Sequence, residues 1–221
     1  MPFILNFHGI GAATTRDYEE GERPYWISVE RFRMLLDTFA APIRSGRMVL
    51  TFDDGNASDA EIAAPELIER GVSAMIFVLA GKLDRPGYLS SEQVRELDAK
   101  GFTIGSHGLD HRPWPSLGDD DLRAETAESR AILERILARP VTSAALPFGR
   151  YDGRVLRALR AADYKMVYSS DGAQRLTSAS PIPRFSVRDD TDDRSIVERM
   201  NATAPIRRAA QELKIRMKAA R

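Results

Sequence analysis

Cysteine is absent from the sequence, which excludes a disulfide framework, a thiolate metal site and a cysteine nucleophile. An excess of charge is absent too, because 32 basic residues balance 32 acidic ones, so the chain as a whole gives no electrostatic reason to expect nucleic-acid binding. The N-terminal stretch lacks the basic start of a signal peptide, and no apolar run is long enough to cross a membrane. We therefore expect a cytoplasmic protein without a nucleic-acid partner.

Histidine is scarce as well, with only His8, His107 and His111 in the whole chain. The last two are four residues apart, a spacing that places two imidazoles on one face of a helical turn, where they can bind a single ion. Imidazoles and a carboxylate together suit zinc and other first-row divalent metals. A pair of surface loop histidines is the alternative interpretation of this spacing alone.

Apolar runs alternate with helical patterns along all 221 residues, a length typical of one domain with a substantial core. This alternation predicts a mainly parallel sheet covered by helices, either a barrel or an open sheet. We treat 1–221 as a single domain that ends in a basic helix, 204–221. The predicted strands are 3–7, 48–52, 74–79, 102–105, 142–146, 165–168 and 184–187, and the predicted helices are 28–39, 57–70, 90–100, 119–137, 152–162 and 192–200.

Two adjacent acids, Asp53 and Asp54, end the apolar run that starts at Met48, in the stretch Thr-Phe-Asp-Asp-Gly. Asp-Gly is a strong hairpin signal, but the residues that follow, 56–62, have the pattern of a helix start rather than of a returning strand. The acids are therefore predicted at the C-terminal end of a parallel strand, where β/α folds place their chemistry. A structural turn is the alternative for this segment alone.

Two further motifs follow predicted strands at the same edge of the sheet. The histidine pair lies in Ser-His-Gly-Leu-Asp-His, directly after strand 102–105, and Pro-Phe-Gly follows strand 142–146. A Pro-aromatic-Gly turn fixes the backbone and can point an N–H into a cleft, as an oxyanion hole needs. Each motif alone is common loop chemistry, whereas the three together predict one site at the carboxyl rim.

The motifs TFDDG, SHGLDH and ALPFG, in this order and each at a predicted strand end, resemble those of the polysaccharide deacetylase family, carbohydrate esterase family four with the NodB homology domain. The resemblance covers roughly residues 3–190. It implies an α/β fold, a distorted (β/α)₇ barrel, that removes acetyl groups from N-acetylated sugars with a divalent metal. Carried over by position, it makes Asp53 the catalytic base, Asp54, His107 and His111 the metal ligands, and the backbone N–H of Phe148 the oxyanion donor.

The cofactor that the resemblance implies is a divalent metal ion, with Zn²⁺ favoured and Co²⁺, Ni²⁺, Fe²⁺ or Mn²⁺ as alternatives. A bound cation can lower the pKa of its water from about 16 to near 7 and so make it able to attack an amide. The same charge would offset the repulsion between Asp53 and Asp54. We expect Pro147 and Gly149 to bind substrate beside Phe148. Trp114, on the metal loop, could stack on a sugar ring, with packing under the loop as the equal alternative.

Two features of the family are missing from this sequence. The Arg that stands two residues before the Pro and orients the catalytic Asp is Ala145 here, and either Arg150 or Arg184 could supply that charge. Many members carry a late histidine as general acid, but no histidine follows His111. We hypothesise that His8 protonates the leaving amine, because it ends the first strand and the first and last strands of a closed barrel are neighbours. A structural histidine at a turn is the alternative.

These observations lead us to expect metal-dependent deacetylation of an N-acetylhexosamine-containing saccharide or glycolipid, in the cytoplasm or at the inner face of the membrane. The basic helix 204–221 could contact an anionic membrane surface, although packing of a terminal helix with a solvated basic face is favoured. Two alternatives stay open. The same scaffold could hydrolyse a non-sugar amide, or the protein could bind glycans without catalysis.

Overall fold

One sheet of eight parallel strands forms the centre of the molecule. The computed structural model describes residues 2–172, 181–201 and 217–218. The strand order is β7-β6-β5-β4-β3-β2-β1-β8, so each strand from β2 to β7 lies beside the strand that precedes it in the chain. This order is that of a (β/α) barrel, as the family resemblance implied. The strands are β1 Phe3–Phe7, β2 Met48–Phe52, β3 Met75–Val78, β4 Thr103–Ser106, β5 Ser143–Ala145, β6 Met166–Ser169, β7 Ile182–Pro183 and β8 Phe185–Ser186.

The last two strands are halves of one extended segment that is interrupted at Arg184. Its first half pairs with β6 and its second half pairs with β1, both in parallel. The segment therefore joins the two ends of the sheet and nearly closes the barrel, so the eight short strands correspond to seven positions around it. The predicted strand 184–187 covers only the second half, because the first half is two residues long and is defined by its pairing rather than by an apolar pattern.

Eight α-helices surround the sheet in the described part of the chain, and the outer bounds of the six predicted helices are confirmed to within a few residues. Two of the six, 57–70 and 119–137, are each interrupted by a wide helical turn, at Asp59–Ala63 and Ala124–Glu128, and the short helix Ala40–Arg44 was not predicted. The helices are α1 Val29–Thr38, α2 Ala40–Arg44, α3 Ala64–Glu69, α4 Ser91–Ala99, α5 Asp119–Arg123, α6 Ser129–Leu137, α7 Gly153–Ala161 and α8 Asp193–Met200.

Short polar side chains fix where several of these helices begin. The hydroxyls of Ser28 and Ser90 and the carboxylates of Asp152 and Asp192 accept a hydrogen bond from a backbone N–H in the first turn of α1, α4, α7 and α8. Gln93 bonds back to the Ser90 N–H and completes a capping box. Such caps stabilise a helix by about 1 kcal/mol each.

Two apolar clusters occupy the two faces of the sheet. The larger lies between the strands and the helices and includes Leu5 and Phe7 of β1. The smaller fills the barrel interior, and it consists of Ile4, Phe77, Ala145, Tyr168 and Ile182. Side chains of a strand alternate between its faces, so Asn6, two residues after Ile4, also points into the barrel. The barrel interior is therefore polar near the carboxyl ends of the strands.

A long segment, residues 8–28, leaves β1 and folds back over the rim before α1 begins, and we call it the strap. Ile10 and Ile27 form a parallel bridge, in which the Ile27 N–H donates to the Gly9 carbonyl and the Gly11 N–H donates to the Ile27 carbonyl. The buried indole of Trp26 lies directly against Gly9. The beginning and the end of the strap are thus bonded to each other, and it is not a free loop.

No helix in the described ranges is long and apolar enough to span a bilayer. The predicted basic helix 204–221 lies almost entirely outside the described residues. Only 217–218 of it are described, and there the Lys218 ammonium bonds to the Asp171 carboxylate. Its contact with a membrane, and the assignment of 1–221 to one domain, stay predictions.

Substitution of Gly9 by Ala should loosen the strap. A Cβ on Gly9 would lie 2.0 Å from the Trp26 ring, so the indole would have to move. We expect the free energy of unfolding to fall by about 1–3 kcal/mol, measured by urea denaturation. Gly118→Ala is the matched control, because nothing lies within 4 Å of its added Cβ. A loss at Gly9 no larger than the loss at Gly118 would contradict this packing.

Candidate metal and catalytic site

Three side chains that can bind a metal converge at the carboxyl rim. One ligand atom each from Asp54, His107 and His111 lies within 4.8 Å of the other two. Asp54 Oδ1 is 3.5 Å from His107 Nε2 and 3.6 Å from His111 Nε2. Asp54 follows β2 and His107 follows β4, so the ends of two parallel strands bring these groups together. The sequence predicted this convergence.

The hydrogen bonds of the two rings fix which nitrogen faces the centre of the site. His107 Nδ1 is 2.9 Å from the Ala145 carbonyl oxygen, and His111 Nδ1 is 3.1 Å from Glu19 Oε2. A carbonyl and a carboxylate can only accept, so each Nδ1 must carry the hydrogen. In the neutral rings the lone pair of each Nε2 is therefore directed toward Asp54 Oδ1.

This donor set fits a divalent cation. Asp54 Oδ1 is buried and has no hydrogen-bond partner among the described residues. Two nitrogen lone pairs and an unpaired carboxylate oxygen in a small buried space repel one another, and burial without a partner is unfavourable. A cation would satisfy all three groups at once.

The two rings differ in how readily they bind a proton. Burial lowers the pKa of His107 in spite of the nearby Asp53 and Asp54 carboxylates. Burial also disfavours the charged form of His111, but the carboxylates of Asp54 and Glu19 outweigh it and raise the pKa of His111. In the metal-free protein a proton therefore competes with a cation for His111 Nε2.

Three site residues have a left-handed backbone conformation, with φ of 75° at Asp54 and 57° at both His111 and Phe148. Asp and His tolerate this region, whereas it is strained for Phe, at a cost of about 1–3 kcal/mol. At Asp54 the conformation breaks the alternation of the strand. As a result His107 Nε2 lies 3.9 Å from Asp53 Oδ2 as well as 3.5 Å from Asp54 Oδ1, and the adjacent acids serve one site.

Asp53 is held by a bidentate ion pair inside the barrel. Arg184 Nη1 donates to Asp53 Oδ1 at 2.6 Å and Nη2 donates to Oδ2 at 2.7 Å, while Asn6 Nδ2 donates to Oδ2 at 3.0 Å. Arg184 and Asp53 are 0% and 2% exposed. Burial alone would raise the pKa of Asp53, but the Arg184 charge outweighs it and holds that pKa well below its ordinary value.

The charge that Ala145 cannot supply therefore comes from Arg184, at the junction of β7 and β8. Arg150, the other candidate, is exposed, and its guanidinium lies 5.9 Å from the centre of the Phe148 ring. The structure does not bring Arg150 to Asp53. Arg184 reaches the site because the interruption of the last strand turns its side chain into the barrel.

Phe148 covers His111 from the solvent side. The two rings stack with centroids 4.3 Å apart, and Phe148 is 52% exposed. No described residue accepts a hydrogen bond from the Phe148 N–H. Pro147 and Gly149 on either side are buried, and a Cβ on Gly149 would lie 2.9 Å from the Ser170 N atom. These two residues shape the turn, and their contact with substrate stays a prediction.

The prediction that Trp114 stacks on a sugar is wrong. Its indole is 0% exposed, and its Nε1 donates to Glu125 Oε2 at 3.3 Å. The buried Glu125 carboxylate also accepts hydrogen bonds from the backbone N–H groups of Leu109 and Asp110. Trp114 and Glu125 thus lie beneath the histidine loop and hold its shape.

His8 ends β1 at the same rim and is half-buried, with its ring 4.7 Å from the Tyr25 ring. Its Nδ1 has no hydrogen-bond partner among the described residues. The pairing of β1 with β8 makes the first and last strands neighbours, as predicted. The role of His8 as an acid stays a prediction.

Sequence reasoning missed four polar residues near the site. Asn6 is the one polar residue in an otherwise apolar strand, and that break in pattern was a usable signal. Glu125 and Asp59 lie in wide helical turns, Ala124–Glu128 and Asp59–Ala63, which often mark functional sites but have no sequence signature here. Glu19 lies in the strap, whose composition gives no structural signal.

Asp59 is a buried acid whose two carboxylate oxygens have no hydrogen-bond partner among the described residues. Burial and the charges of Asp54 and Asp53 raise the pKa of Asp59 well above its ordinary value. The folded protein therefore keeps a proton on Asp59 at pH values where the unfolded chain has lost it.

Removal of Arg184 should be far more damaging than removal of Arg150. Arg184→Met leaves the Asp53 carboxylate buried without its cation, and we expect a loss of about 3–5 kcal/mol in the free energy of unfolding. Arg150→Met, the matched control, should change it by less than about 0.5 kcal/mol. The double variant Asp53→Asn with Arg184→Met should recover part of the loss. Urea denaturation of the metal-free proteins measures all three, and additive losses would contradict the ion pair.

Replacement of Asp59 by Asn should change how stability depends on pH. Because the folded-state pKa is raised, the associated stability is fully present below about 3.9, the pKa of an unfolded Asp, and is lost as pH rises toward the folded value. We expect the metal-free Asp59→Asn variant to gain stability over the original protein between about pH 4 and pH 8. Urea denaturation across this range measures the difference. Parallel curves, like those expected for the exposed Asp120→Asn, would count against the buried acid.

Comparison with known proteins identifies the family. The family model described as polysaccharide deacetylase matches residues 41–167, which is more than half of the chain. The Bacillus subtilis (strain 168) protein YxkH, whose name places it among the polysaccharide deacetylases, is 29% identical over 119 residues. That match covers 54% of this chain and 43% of YxkH, so the chain spans less than half of this curated relative.

Solved structures show the same fold. The Streptococcus pyogenes deacetylase PplD, in complex with acetate, has a TM-score of 0.75 at 18% identity, covering 90% of this chain and 98% of PplD. IcaB from Ammonifex degensii has a TM-score of 0.69 at 23% identity, covering 88% of this chain and 93% of IcaB. Identities this low establish the barrel and not the activity. With the match of the family model, the chain belongs to the polysaccharide deacetylase family.

Proposed function

We propose that this protein is a metal-dependent hydrolase that removes the acetyl group from an N-acetylhexosamine-containing saccharide or glycolipid. The observation that carries the proposal is that the two adjacent acids, Asp53 and Asp54, have different partners. Asp54 faces two imidazole nitrogens and has a free oxygen, whereas both oxygens of Asp53 are held by Arg184 and Asn6. One acid is thus placed to bind a cation and the other to exchange a proton.

Asp54, His107 and His111 would hold the cation. Their donor set suits Zn²⁺, and Co²⁺, Ni²⁺, Fe²⁺ and Mn²⁺ are bound by the same donors. A bound divalent cation would supply a water of lowered pKa and polarise the carbonyl oxygen of the amide.

Asp53 would accept the proton that is released when water adds to the acetyl carbonyl. The Arg184 charge keeps the Asp53 carboxylate ionised. Two hydrogen bonds from Arg184 and one from Asn6 fix the orientation of this carboxylate. The same charge lowers the basicity of Asp53. The contribution of Asp53 would therefore come from the fixed position of its carboxylate rather than from high basicity.

The rest of the rim would serve the carbonyl oxygen and the leaving amine. The Phe148 N–H, which no described residue uses, would donate to the oxygen as it gains negative charge. When the C–N bond breaks, the sugar nitrogen needs a proton and the acyl group leaves as acetate. His8, at the same rim, is the residue that we assign to donate that proton. Arg150 lies over Phe148 and could contact the substrate outside this group.

Two alternative functions would give different experimental results from the proposed deacetylase. A hydrolase of non-sugar amides would use the same residues and release a product from a different substrate class. A glycan-binding protein on this fold would bind metal and sugar without turnover. A cytoplasmic location, and contact of 204–221 with a membrane, stay predictions from the sequence.

Substitutions of the two acids should separate metal binding from turnover. Asp54→Asn should lose the metal, because it removes the carboxylate that completes the ligand set. Asp53→Asn should keep the metal and lose turnover by about 10²–10⁴-fold, the usual contribution of a general base. Metal content after dialysis and acetate release from N-acetylglucosamine oligomers measure the two effects, with the exposed Asp120→Asn as control.

The same assays distinguish the alternatives. Metal with no acetate release across N-acetylated sugars would favour a binding protein, and turnover confined to non-sugar amides would favour the other hydrolase. An unmodified protein that binds no divalent metal would overturn the proposal. His8→Gln with metal retained and full turnover would remove His8 from the mechanism.

A further inference from the structure

The two ligand histidines are held by very different partners. His107 Nδ1 donates to a backbone carbonyl, that of Ala145 on β5, which is part of the barrel itself. His111 Nδ1 donates to a side-chain carboxylate, that of Glu19, which lies 92 residues away in the strap. One half of the site is therefore fixed by the sheet, and the other half depends on a segment outside it.

Glu19 is itself held from the other side. Its Oε1 accepts hydrogen bonds from the Lys82 ammonium and, at 3.0 Å, from the Tyr88 hydroxyl, while Oε2 faces His111. The side chain of Lys82 is 12% exposed and that of Glu19 is 38% exposed, so the lysine half of this ion pair is the more buried one. The two oxygens thus have separate partners, Oε1 toward Lys82 and Tyr88 and Oε2 toward His111.

The backbone around Glu19 is also fixed. The Glu22 carboxylate accepts hydrogen bonds from the Glu19 N–H at 2.6 Å and from Trp26 Nε1 at 2.8 Å, and it pairs with Arg16. Arg16 in turn donates to Asn56 Oδ1 at 2.7 Å, two residues after Asp54. The strap is therefore anchored both to itself and to the loop that carries the candidate carboxylate ligand.

We propose that Glu19 is a positioning residue that sets the metal affinity of the site through His111. It holds the hydrogen on Nδ1, keeps the Nε2 lone pair directed at Asp54, and places a negative charge behind the ring that strengthens Nε2 as a ligand. Lys82 and Tyr88 keep Glu19 in place. The inference rests on the proposed metal site and adds to it a residue from the strap.

Zinc affinity is the first test, measured on the full chain by competition with a chromophoric chelator. Glu19→Ala removes both the acceptor and the charge, and we expect affinity to fall by about 10–100-fold. Glu19→Gln keeps an acceptor without the charge and should lie between Glu19→Ala and the unmodified protein. Glu20→Gln is the matched control, because Glu20 is the exposed neighbour, and its affinity should not change.

The tautomer of His111 is the second test, and a merely structural role would not alter it. With only three histidines in the chain, ¹⁵N NMR of the imidazole nitrogens can resolve each ring. In the metal-free protein, at a pH where the rings are neutral, His107 and His111 should both carry hydrogen on Nδ1. Glu19→Ala should shift His111 toward hydrogen on Nε2 and leave His107, bonded to the Ala145 carbonyl, unchanged.

The outcomes separate this inference from the proposed function. If the unmodified protein binds no zinc, the proposed metal site fails. If it binds zinc and His111→Ala loses it, while Glu19→Ala retains full affinity and the same His111 tautomer, the role of Glu19 is overturned and the metal site stands. Should Glu19→Ala not fold, judged by circular dichroism, Glu19→Gln carries the test, and unchanged affinity in that variant would overturn the inference.

Discussion

The bidentate pair between Arg184 and Asp53 is the interaction on which the site depends. A guanidinium at 0% exposure would be very unfavourable without a carboxylate, and a carboxylate in the same interior would be unfavourable without the guanidinium. The barrel interior supplies the remaining contacts, because the guanidinium carbon lies 5.1 Å from the Phe77 ring centre and 5.9 Å from that of Tyr168. The apolar lining of the barrel therefore strengthens the one charged pair that it contains.

Around this pair the rim has two electrostatically distinct halves. On one side Asp53 pairs with the Arg184 guanidinium, and on the other Asp54 faces the imidazoles of His107 and His111. Asp59, buried without a hydrogen-bond partner among the described residues, adds a third acid, whose pKa is raised by burial and by the charges of Asp54 and Asp53. The fold tolerates three neighbouring acids because their charges are compensated in different ways. Asp53 pairs with Arg184, Asp54 belongs to the group that can bind a cation, and Asp59 has a raised pKa that favours its neutral form.

The strands could be predicted because they are local apolar patterns, and the grouping of Asp54 with His107 and His111 could be predicted because their motifs follow predicted parallel strands and resemble those of a known family. β1 and β2 are apolar runs that end at polar residues, and their observed bounds are the predicted ones. The pairing of Glu19 with His111 could not be found, since it joins an irregular strap to a loop 92 residues later. The prediction that Trp114 stacks on a sugar failed because an aromatic residue in a polar loop has the same sequence context whether its ring is buried beneath the loop or exposed to solvent. The family arginine is replaced by Ala145, and the sequence offered Arg150 and Arg184 as the residue that pairs with Asp53 instead. The structure shows that it is Arg184, which lies in the segment that joins the two ends of the sheet.

The interruption of the last strand has a consequence for biosynthesis. Residues 182–186 join the two ends of the sheet, and Arg184 among them pairs with Asp53, so a nascent chain still lacking them has strands but no cation beside this acid. Maturation of the site is thereby coupled to completion of the barrel. A folding intermediate in which the final strand has not docked would expose two unpaired sheet edges together with an uncompensated acid, which makes it a natural target for chaperones and proteases.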